Sequence, residues 1–214
     1  MNKSKTTVDE YQKIYAALRF ERSGLFELIL EKYHPTEVLY PGCSSHITPA
    51  FFFPHVVFVD QNPEAMAFFS DHENILDLVM RQRRYRRKPY IQFIFQDFCK
   101  PLAVRKDQFD LVLALFTGGV ARACKAYLKP GGLLLTNNHH DDAVEAAQDD
   151  ELALTGMVEM RNGKYRLMNR EAGEELTVMS QASRSKRYLR QTSRGAEYIE
   201  NECYYIFKKS RHEY

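Results

Sequence analysis

The alternation of short apolar runs with helical segments is the feature that most constrains the fold. Five runs have the composition of buried strands, and each ends in polar residues or glycine: residues 37–40, 56–59, 90–95, 109–115 and 133–136. Helical patterns occupy 63–70, 120–128 and 141–151, and 129–132 predicts a turn. Strands separated by helices predict an α/β fold with a doubly wound, mainly parallel sheet.

The remainder of the chain has a different pattern. Residues 155–160 and 164–168 flank Asn162-Gly163, a strong hairpin signal, and 203–208 predicts a last strand. These segments predict an antiparallel addition to the sheet. At the other end, apolar residues at helical spacing predict two short helices. We therefore expect an N-terminal helical cap over residues 1–34 and one main domain over 35–214.

Charge and cysteine content exclude several classes of protein. The 214 residues carry a net charge of only +2, so the overall charge does not predict a nucleic-acid partner. The four cysteines lie far apart, which favours neither a zinc site nor a disulfide framework. There is no apolar run of the length of a membrane span and no signal-peptide pattern. The sequence predicts a cytoplasmic protein with no membrane partner.

Two local runs of positive charge remain. From Arg81 to Lys88, six of eight residues are basic with Tyr85 among them, and a second run extends from Arg184 to Arg194. Such runs fit a surface that binds nucleic acid or another polyanion. The first run also fits the solvated end of a helix, since cations stabilise helix C-termini.

Candidate ligand contacts follow from the position of residues after each strand. In an open parallel sheet ligands bind at the carboxyl ends of the strands. Gly42 follows the first strand and permits close approach of the backbone. Asp60 follows the second strand, 18 residues after Gly42, where an acid accepts hydrogen bonds from ribose hydroxyls. Asp97 and Phe98 follow the third strand, as a carboxylate and a ring suited to a base.

This order of features resembles the class I S-adenosylmethionine (SAM) dependent methyltransferases. The matching segments are V-L-Y-P-G-C-S-S-H, V-F-V-D-Q-N-P-E-A, Q-D-F, F-D-L-V-L-A-L-F and L-K-P-G-G-L-L-L-T-N. They cover about residues 37–138, and the hairpin resembles the antiparallel sixth and seventh strands of the family. The resemblance implies a Rossmann-like, seven-stranded sheet, bound SAM and transfer of its methyl group. It identifies no acceptor, and we expect a small molecule.

The resemblance also implies roles for particular residues. Asp60 would hold the ribose, Asp97 with Phe98 the adenine, and Gly42 the methionine end. The complete set of candidate cofactor contacts is Tyr40, Gly42, Ser44, His46, Asp60, Gln61, Asp97, Phe98, Leu115 and Phe116. The sequence departs from the family pattern where Tyr40 replaces an acid and where Ser44 and His46 replace glycines.

Residues after the fifth strand and in the cap supply the remaining candidates. Asn138 and His139 are candidate catalytic residues, as a proton acceptor or orienting group for the methyl acceptor. The run from His139 to Asp142 resembles a metal cluster, but neighbouring side chains diverge and acids are expected at a helix start. We therefore expect no metal site. Tyr11 and Tyr15 are candidate contacts of a lid formed by the cap.

Three alternatives to a methyltransferase of small molecules remain open from the sequence. The first is a catalytically silent SAM-fold module, which the single surviving glycine of the first loop favours. The second is a nicotinamide-linked oxidoreductase, since Gly42 and Asp60 also suit a dinucleotide, although G-x-G-x-x-G is absent. The third is an RNA-directed methyltransferase that uses the two arginine runs.

Overall fold

A computed structural model describes the chain over residues 7–17, 21–138, 140–161, 163–169, 186–192, 195–201 and 203–211. Its helices in chain order are α1 (Thr7–Tyr11), continued by a π-helical turn (Gln12–Ala16), α2 (Ser23–Tyr33), α3 (Pro49–Phe52), α4 (Pro63–Ser70), α5 (His72–Gln82), α6 (Val120–Cys124), continued by a 3₁₀ turn (Lys125–Tyr127), and α7 (Asp142–Ala147). Its strands are β1 (Glu37–Pro41), β2 (His55–Asp60), β3 (Tyr90–Phe95), β4 (Phe109–Ala114), β5 (Leu128–Thr136), β6 (Leu152–Arg161), β7 (Lys164–Asn169), β8 (Lys186–Thr192), β9 (Gly195–Asn201) and β10 (Cys203–Lys209).

The main sheet has the strand order β3-β2-β1-β4-β5-β10-β6-β7, and β8 pairs with β9 separately. Strands β1 to β5 are parallel, whereas β10 is antiparallel to both β5 and β6. The predicted Rossmann-like, mainly parallel α/β fold is confirmed. The expected seven strands are corrected to eight in the described main sheet, because the hairpin β6–β7 and β10 all join it.

Helices cover both faces of the sheet, and alternate strand residues point to the two sides. Val38 and Tyr40 of β1 belong to the buried cluster beneath α2, α3, α4 and α5, while Leu39 belongs to the cluster beneath α6 and α7. The central strands β1, β2 and β4 are apolar on both faces along most of their length because both faces are buried, whereas the edge strand β3 leaves Tyr90 and Phe95 exposed. Because helices cover both faces, the places where the strands begin and end remain for polar residues. We call the edge where β1 to β5 end the carboxyl edge, and the edge where they begin the amino edge.

Three elements differ from the predicted pattern. The expected turn at 129–132 is a bulge inside β5, since the partners of β4 jump from Leu128 to Leu133. The expected helix at 120–128 ends at Tyr127, where the 3₁₀ turn gives way to β5, and α7 is shorter than 141–151. Helices α3 and α5 and the pair β8–β9 were not predicted.

Residues of the expected cap share the core of the sheet. Tyr11 and the α2 residues Leu25, Phe26 and Ile29 are buried in the same cluster as β1 and β2. The division into a cap over 1–34 and a main domain over 35–214 stays a prediction. Within the described residues, no helix is long and apolar enough to cross a membrane.

Candidate functional site

The loop after β1 is held at the carboxyl edge by its own backbone. Gly42 has φ +65° and its N–H donates to the Val59 carbonyl at 2.8 Å, which ties the loop to β2. A Cβ atom on Gly42 would lie 2.3 Å from Oγ1 of Thr117, so the side chain of Thr117 fills the space beside this glycine. Only glycine fits this position, both for its backbone angle and for its space.

Asp60 links the ends of β1 and β2. Its Oδ2 accepts from the Ser44 N–H at 2.8 Å, and its Oδ1 accepts from the Asn62 N–H at 2.9 Å. The cap of α4 is Asn62, whose Oδ1 accepts from the Glu64 N–H. Asp60 therefore does not cap α4. It is partly exposed, and each of its oxygens retains a lone pair for a further donor.

His46 is the centre of a buried group of aromatic side chains. Its Nε2 lies 3.2 Å from the Glu21 carbonyl oxygen and its Nδ1 lies 3.0 Å from the Tyr40 hydroxyl. Because a carbonyl only accepts, the proton is on Nε2 and Tyr40 donates to Nδ1. Burial, together with the nearby Arg22, lowers the pKa of His46 to about 3, so the ring is neutral.

Tyr15 brings the N-terminal segment onto this loop. Its ring stacks on that of His46 with centroids 4.7 Å apart. Burial raises the pKa of Tyr15, although hydrogen bonds to the Ser45 and Ser44 side chains lower it. Tyr11 lies nearby and its hydroxyl bonds with that of Thr48 at 2.8 Å. The structure thus brings both predicted lid residues into contact with the loop between β1 and α3.

The loop after β4 faces Gly42 and the end of β5. Phe116 adopts a left-handed backbone with φ +59°, and its N–H donates to Oδ1 of Asn137 at 3.0 Å. The guanidinium of Arg22 lies 4.4 Å from the centre of the Phe116 ring, and its Nε donates to the Tyr204 hydroxyl at 3.0 Å. Leu115 is buried in the core beneath this loop. These contacts position the loop from both sides.

The residues after β5 contain buried polar atoms that have no hydrogen-bond partner among the residues that the structure describes. They include Nδ2 of both Asn137 and Asn138. Oδ1 of Asn138 accepts from the N–H groups of Ala143 and Val144, so it holds the start of α7. Only the amide nitrogen of Asn138 remains for a ligand. His139 lies outside the described residues, and the catalytic roles of both stay predictions.

Asp142 is a buried acid close to this group. Its Oδ1 accepts from the Ala121 N–H at 3.1 Å, while its Oδ2 has no hydrogen-bond partner in the described part of the chain. Burial raises the pKa of Asp142 to about 6, against the opposing effect of bonds to backbone N–H groups. Sequence reasoning assigned Asp142 only to the helix start. Its burial depends on packing between α6 and α7, which no local pattern reveals.

The adenine candidates lie further along the carboxyl edge. Oδ1 of Asp97 accepts from the Cys99 N–H at 2.9 Å, and Phe98 is half-buried against the cluster beneath α6 and α7. Gln61 is exposed beside Asp60. Hydrogen bonds join the loops after β1, β2, β4 and β5, and the N–H of Gln96, which precedes Asp97, donates to the Asp60 carbonyl at 3.0 Å. No group of three or more metal-ligating side chains suited to an ion occurs within the described ranges.

Sequence reasoning missed Arg22 and Asn137. Arg22 is nearly buried at the start of α2, and its partner Tyr204 lies 182 positions away, so no spacing could indicate it. Asn137 did carry a signal, because it follows β5 directly and so occupies the edge where ligands are expected.

The fold is similar to that of three solved structures, each provisionally named as a methyltransferase. One is an O-methyltransferase from Klebsiella pneumoniae, with 10% identity over 99% of this chain and 93% of its own, and a TM-score of 0.54. A methyltransferase from Bacillus halodurans has 13% identity over 89% and 99%, with a TM-score of 0.50. A SAM-dependent methyltransferase from Methanococcus maripaludis has 14% identity over 100% and 97%, with a TM-score of 0.50.

At such identities these likenesses establish the fold alone. No protein-family model and no curated protein sequence matches the chain. The chain has the Rossmann-like methyltransferase fold.

Proposed function

We propose that the protein is a SAM-dependent methyltransferase that acts on a small-molecule acceptor. The observation that carries the proposal is the position of Asp60. The strand order places the loop after β1 at the switch point, because the chain continues to β2 and β3 on one side and to β4 and β5 on the other. A carboxylate fixed beside that loop is suited to the ribose of a nucleoside cofactor.

The residues at the carboxyl edge fit such a cofactor. Asp60 is oriented by two backbone N–H groups and retains acceptor capacity for two ribose hydroxyls. Gly42 gives the loop after β1 its positive φ, and the side chain of Thr117 packs directly against it. Asn137 offers a buried amide donor that has no partner among the described residues. Asp97 and Phe98 would serve the adenine, and Ser44, His46 and Tyr40 would line the loop.

SAM, when bound, supplies a methyl group that its sulfonium has already activated. The chain therefore has to orient the acceptor and exclude water. Tyr15 stacks on His46 in the loop after β1, and Arg22 lies over the ring of Phe116 in the loop after β4. Residues of the N-terminal segment therefore cover both loops. Because Oδ1 of Asn138 is engaged with α7, Asn138 would orient an acceptor through Nδ2. His139 is the remaining candidate for a proton acceptor.

The test is calorimetric titration of the purified protein with SAM, S-adenosylhomocysteine, NAD and ATP. We expect SAM and S-adenosylhomocysteine to bind, and Asp60→Asn to weaken both at least about tenfold, because one acceptor oxygen is lost. The matched control is Asp77→Asn on α5, whose carboxylate pairs with Arg81 at the surface. It should bind like the wild type. Binding of NAD alone, or equal binding by both variants, would overturn the proposal.

A silent SAM-fold module is the second candidate. The observation that favours it is the filled space beside Gly42, where the side chain of Thr117 lies against the glycine and leaves no room for a cofactor at that point. Incubation with methyl-labelled SAM and a broad panel of amines, phenols, thiols and carboxylates separates the two. Label transfer to any acceptor supports the enzyme, whereas tight SAM binding without transfer supports the module.

A further inference from the structure

The basic run has a fixed location in the fold. It begins in the last turn of α5 and fills the connection to β3, so it lies at the amino edge. The carboxyl edge lies one strand length away, which for the six residues of β3 is roughly 20 Å. The run therefore does not contribute to the candidate cofactor site, and a role for it requires a different ligand.

Three hydrogen bonds hold the basic loop against the domain. The Arg84 N–H donates to the Phe51 carbonyl at 2.7 Å, and the Tyr85 hydroxyl donates to the Ala50 carbonyl at 2.7 Å. Nη1 of Arg83 donates to the Arg87 carbonyl at 2.7 Å across the loop. Burial raises the pKa of Tyr85 to about 12. Tyr85 therefore anchors the loop through its hydroxyl.

The cations of this loop lack acidic partners. Arg81 pairs with Asp77, but in the described part of the chain no carboxylate lies within 4.0 Å of the next five cations, namely Arg83, Arg84, Arg86, Arg87 and Lys88. Four of these five are exposed. A rigid loop with this much unpaired charge is unfavourable for the isolated protein, since like charges repel. A polyanion would remove that repulsion.

An aromatic ring lies beside the loop. Tyr90 begins the edge strand β3, two positions after Lys88, and is 52% exposed. It is held by the His55 ring, with centroids 4.3 Å apart, and by a bond from its hydroxyl to Gln92 at 3.3 Å. An oriented, exposed ring next to cations is the arrangement on which unpaired bases stack while the cations follow the phosphates.

We propose that the loop from Arg83 to Lys88, together with Tyr90, binds single-stranded nucleic acid. The exposed ring favours a single strand over a duplex, because the bases of a duplex are already stacked on each other. The surface anchors its ligand away from the candidate cofactor site. The proposal does not depend on the proposed methyltransferase activity. The run from Arg184 to Arg194 is not part of it, since its side chains lie outside the description.

The first test is fluorescence anisotropy with a labelled 15-nucleotide oligouridine between 50 and 300 mM KCl. The variant Arg84→Gln/Arg86→Gln/Arg87→Gln removes three charges and keeps the three hydrogen bonds of the loop. We expect it to bind roughly a hundredfold more weakly at 0.1 M salt, with a salt slope that is smaller by about 2. The control, Arg161→Gln/Lys164→Gln/Arg166→Gln, makes the same charge change on the hairpin β6–β7. It should bind like the wild type. Equal weakening by both would overturn the proposal, as would no weakening by either.

The second test concerns the ring. Tyr90→Ala should weaken oligouridine binding about tenfold with an unchanged salt slope, and Tyr90→Phe should retain binding. Phe95→Ala, at the other end of β3 with a 50% exposed ring, should have no effect. A 15-base-pair RNA duplex should bind more weakly than the single strand. Tighter binding of the duplex, or binding to phosphatidylserine vesicles without binding to oligouridine, would overturn the proposal. Unchanged melting temperatures show that each variant is folded.

Discussion

At the carboxyl edge of the sheet polar groups are buried with unused bonding capacity, whereas at the amino edge they are paired or exposed to water. Every buried side-chain oxygen or nitrogen without a partner in the described residues lies around the end of β5, namely in Asn137, Asn138, Asp142, Glu145 and Tyr205. Left-handed backbone outside glycine occurs at both edges in the described residues, at Ser44, Phe116, Asn138 and Asp141 on the carboxyl edge and at His34 and Asp107 on the amino edge. Buried polar groups without a partner lower the stability of a protein. They are typical of functional sites, where the interactions of the rest of the fold compensate for the loss.

The amino edge shows the opposite use of an acid. Oδ2 of Asp110 accepts from the N–H and the hydroxyl of Thr36 and from the Glu37 N–H, and its Oδ1 accepts from Lys129 at 2.7 Å. One carboxylate therefore joins the beginnings of β1, β4 and β5. The comparison teaches that this edge contributes stability, while the carboxyl edge gives up stability for a site.

The largest expected effect is at Gly42. Gly42→Ala combines a positive φ with a Cβ 2.3 Å from Thr117, and should lower the free energy of unfolding by about 3 kcal/mol and abolish SAM binding. Gly163→Ala is the matched control, because its φ is +74° and no atom lies within 4 Å of the added Cβ. It should lose only about 1 kcal/mol. Urea denaturation measures both, and equal losses would contradict the role of the Thr117 contact.

The next effect is a gain of stability from Asp142→Asn. The pKa of Asp142 is raised from 3.8 to about 6, so the folded chain binds this proton more tightly than the unfolded chain does. The stability from this group is full below pH 3.8 and is lost as the pH rises to about 6. The variant should therefore exceed the wild type by about 2 kcal/mol at pH 7.5 and lose that advantage near pH 4.

Denaturation of both proteins across this pH range measures the difference. The exposed neighbour provides the control, since Asp141→Asn should follow the wild type at every pH. If Asp142→Asn is less stable than the wild type at pH 7.5, the buried charge of Asp142 does not lower the stability of the protein at this edge.

A smaller loss is expected at the amino edge. Asp110→Asn replaces one of two fully engaged oxygens by a donor and should lower the free energy of unfolding by about 1.5 kcal/mol. SAM affinity should stay within about twofold, because no contact links Asp110 to the carboxyl edge. Denaturation and calorimetry on the same sample measure the two. A large loss of SAM affinity in Asp110→Asn would contradict the assignment of the amino edge to stability and of the carboxyl edge to binding.

The smallest effects come from two buried tyrosines. Tyr40→Phe removes the donor to Nδ1 of His46 and should cost about 1 kcal/mol, since a buried acceptor is left unpaired. The hydroxyl of Tyr205 has no hydrogen-bond partner within the described ranges, so Tyr205→Phe should leave stability unchanged or raise it slightly. Thermal melts of the two variants measure this contrast. A larger loss of stability in Tyr205→Phe than in Tyr40→Phe would contradict the hydrogen-bond roles assigned to these two hydroxyls.

The fold was largely predictable because the central strands β1, β2 and β4 are apolar on both faces. The five parallel strands, α4 and the hairpin β6–β7 lie where their patterns predicted them within a few residues. The helix α5 also carried a signal, in the spacing of Ile75, Leu78 and Val79, but its other residues are polar and the pattern was not used. The number of strands in the sheet was not predictable, because it depends on the insertion of β10 between β5 and β6 and hence on pairing between distant segments.

The site was predictable only as a set of positions. Gly42 and Asp60 follow their strands, and the edge they share follows from parallel pairing. The contacts that shape the site do not follow from spacing, as the 75 positions between Thr117 and Gly42 illustrate. The same limit applies to Tyr85, which the sequence places among cations and the structure bonds to the carbonyl of Ala50.

The insertion of β10 between β5 and β6 has a consequence for synthesis of the chain. β6 ends at Arg161, but it reaches the sheet only through β10, which begins at Cys203. At 5 to 20 residues per second, a ribosome takes roughly 2 to 8 s to make the intervening segment. During that interval Leu133 to Thr136 of β5 form an open, apolar edge on the nascent chain. The newborn protein is therefore most exposed to aggregation, and most in need of a chaperone, when most of its sheet has already been translated.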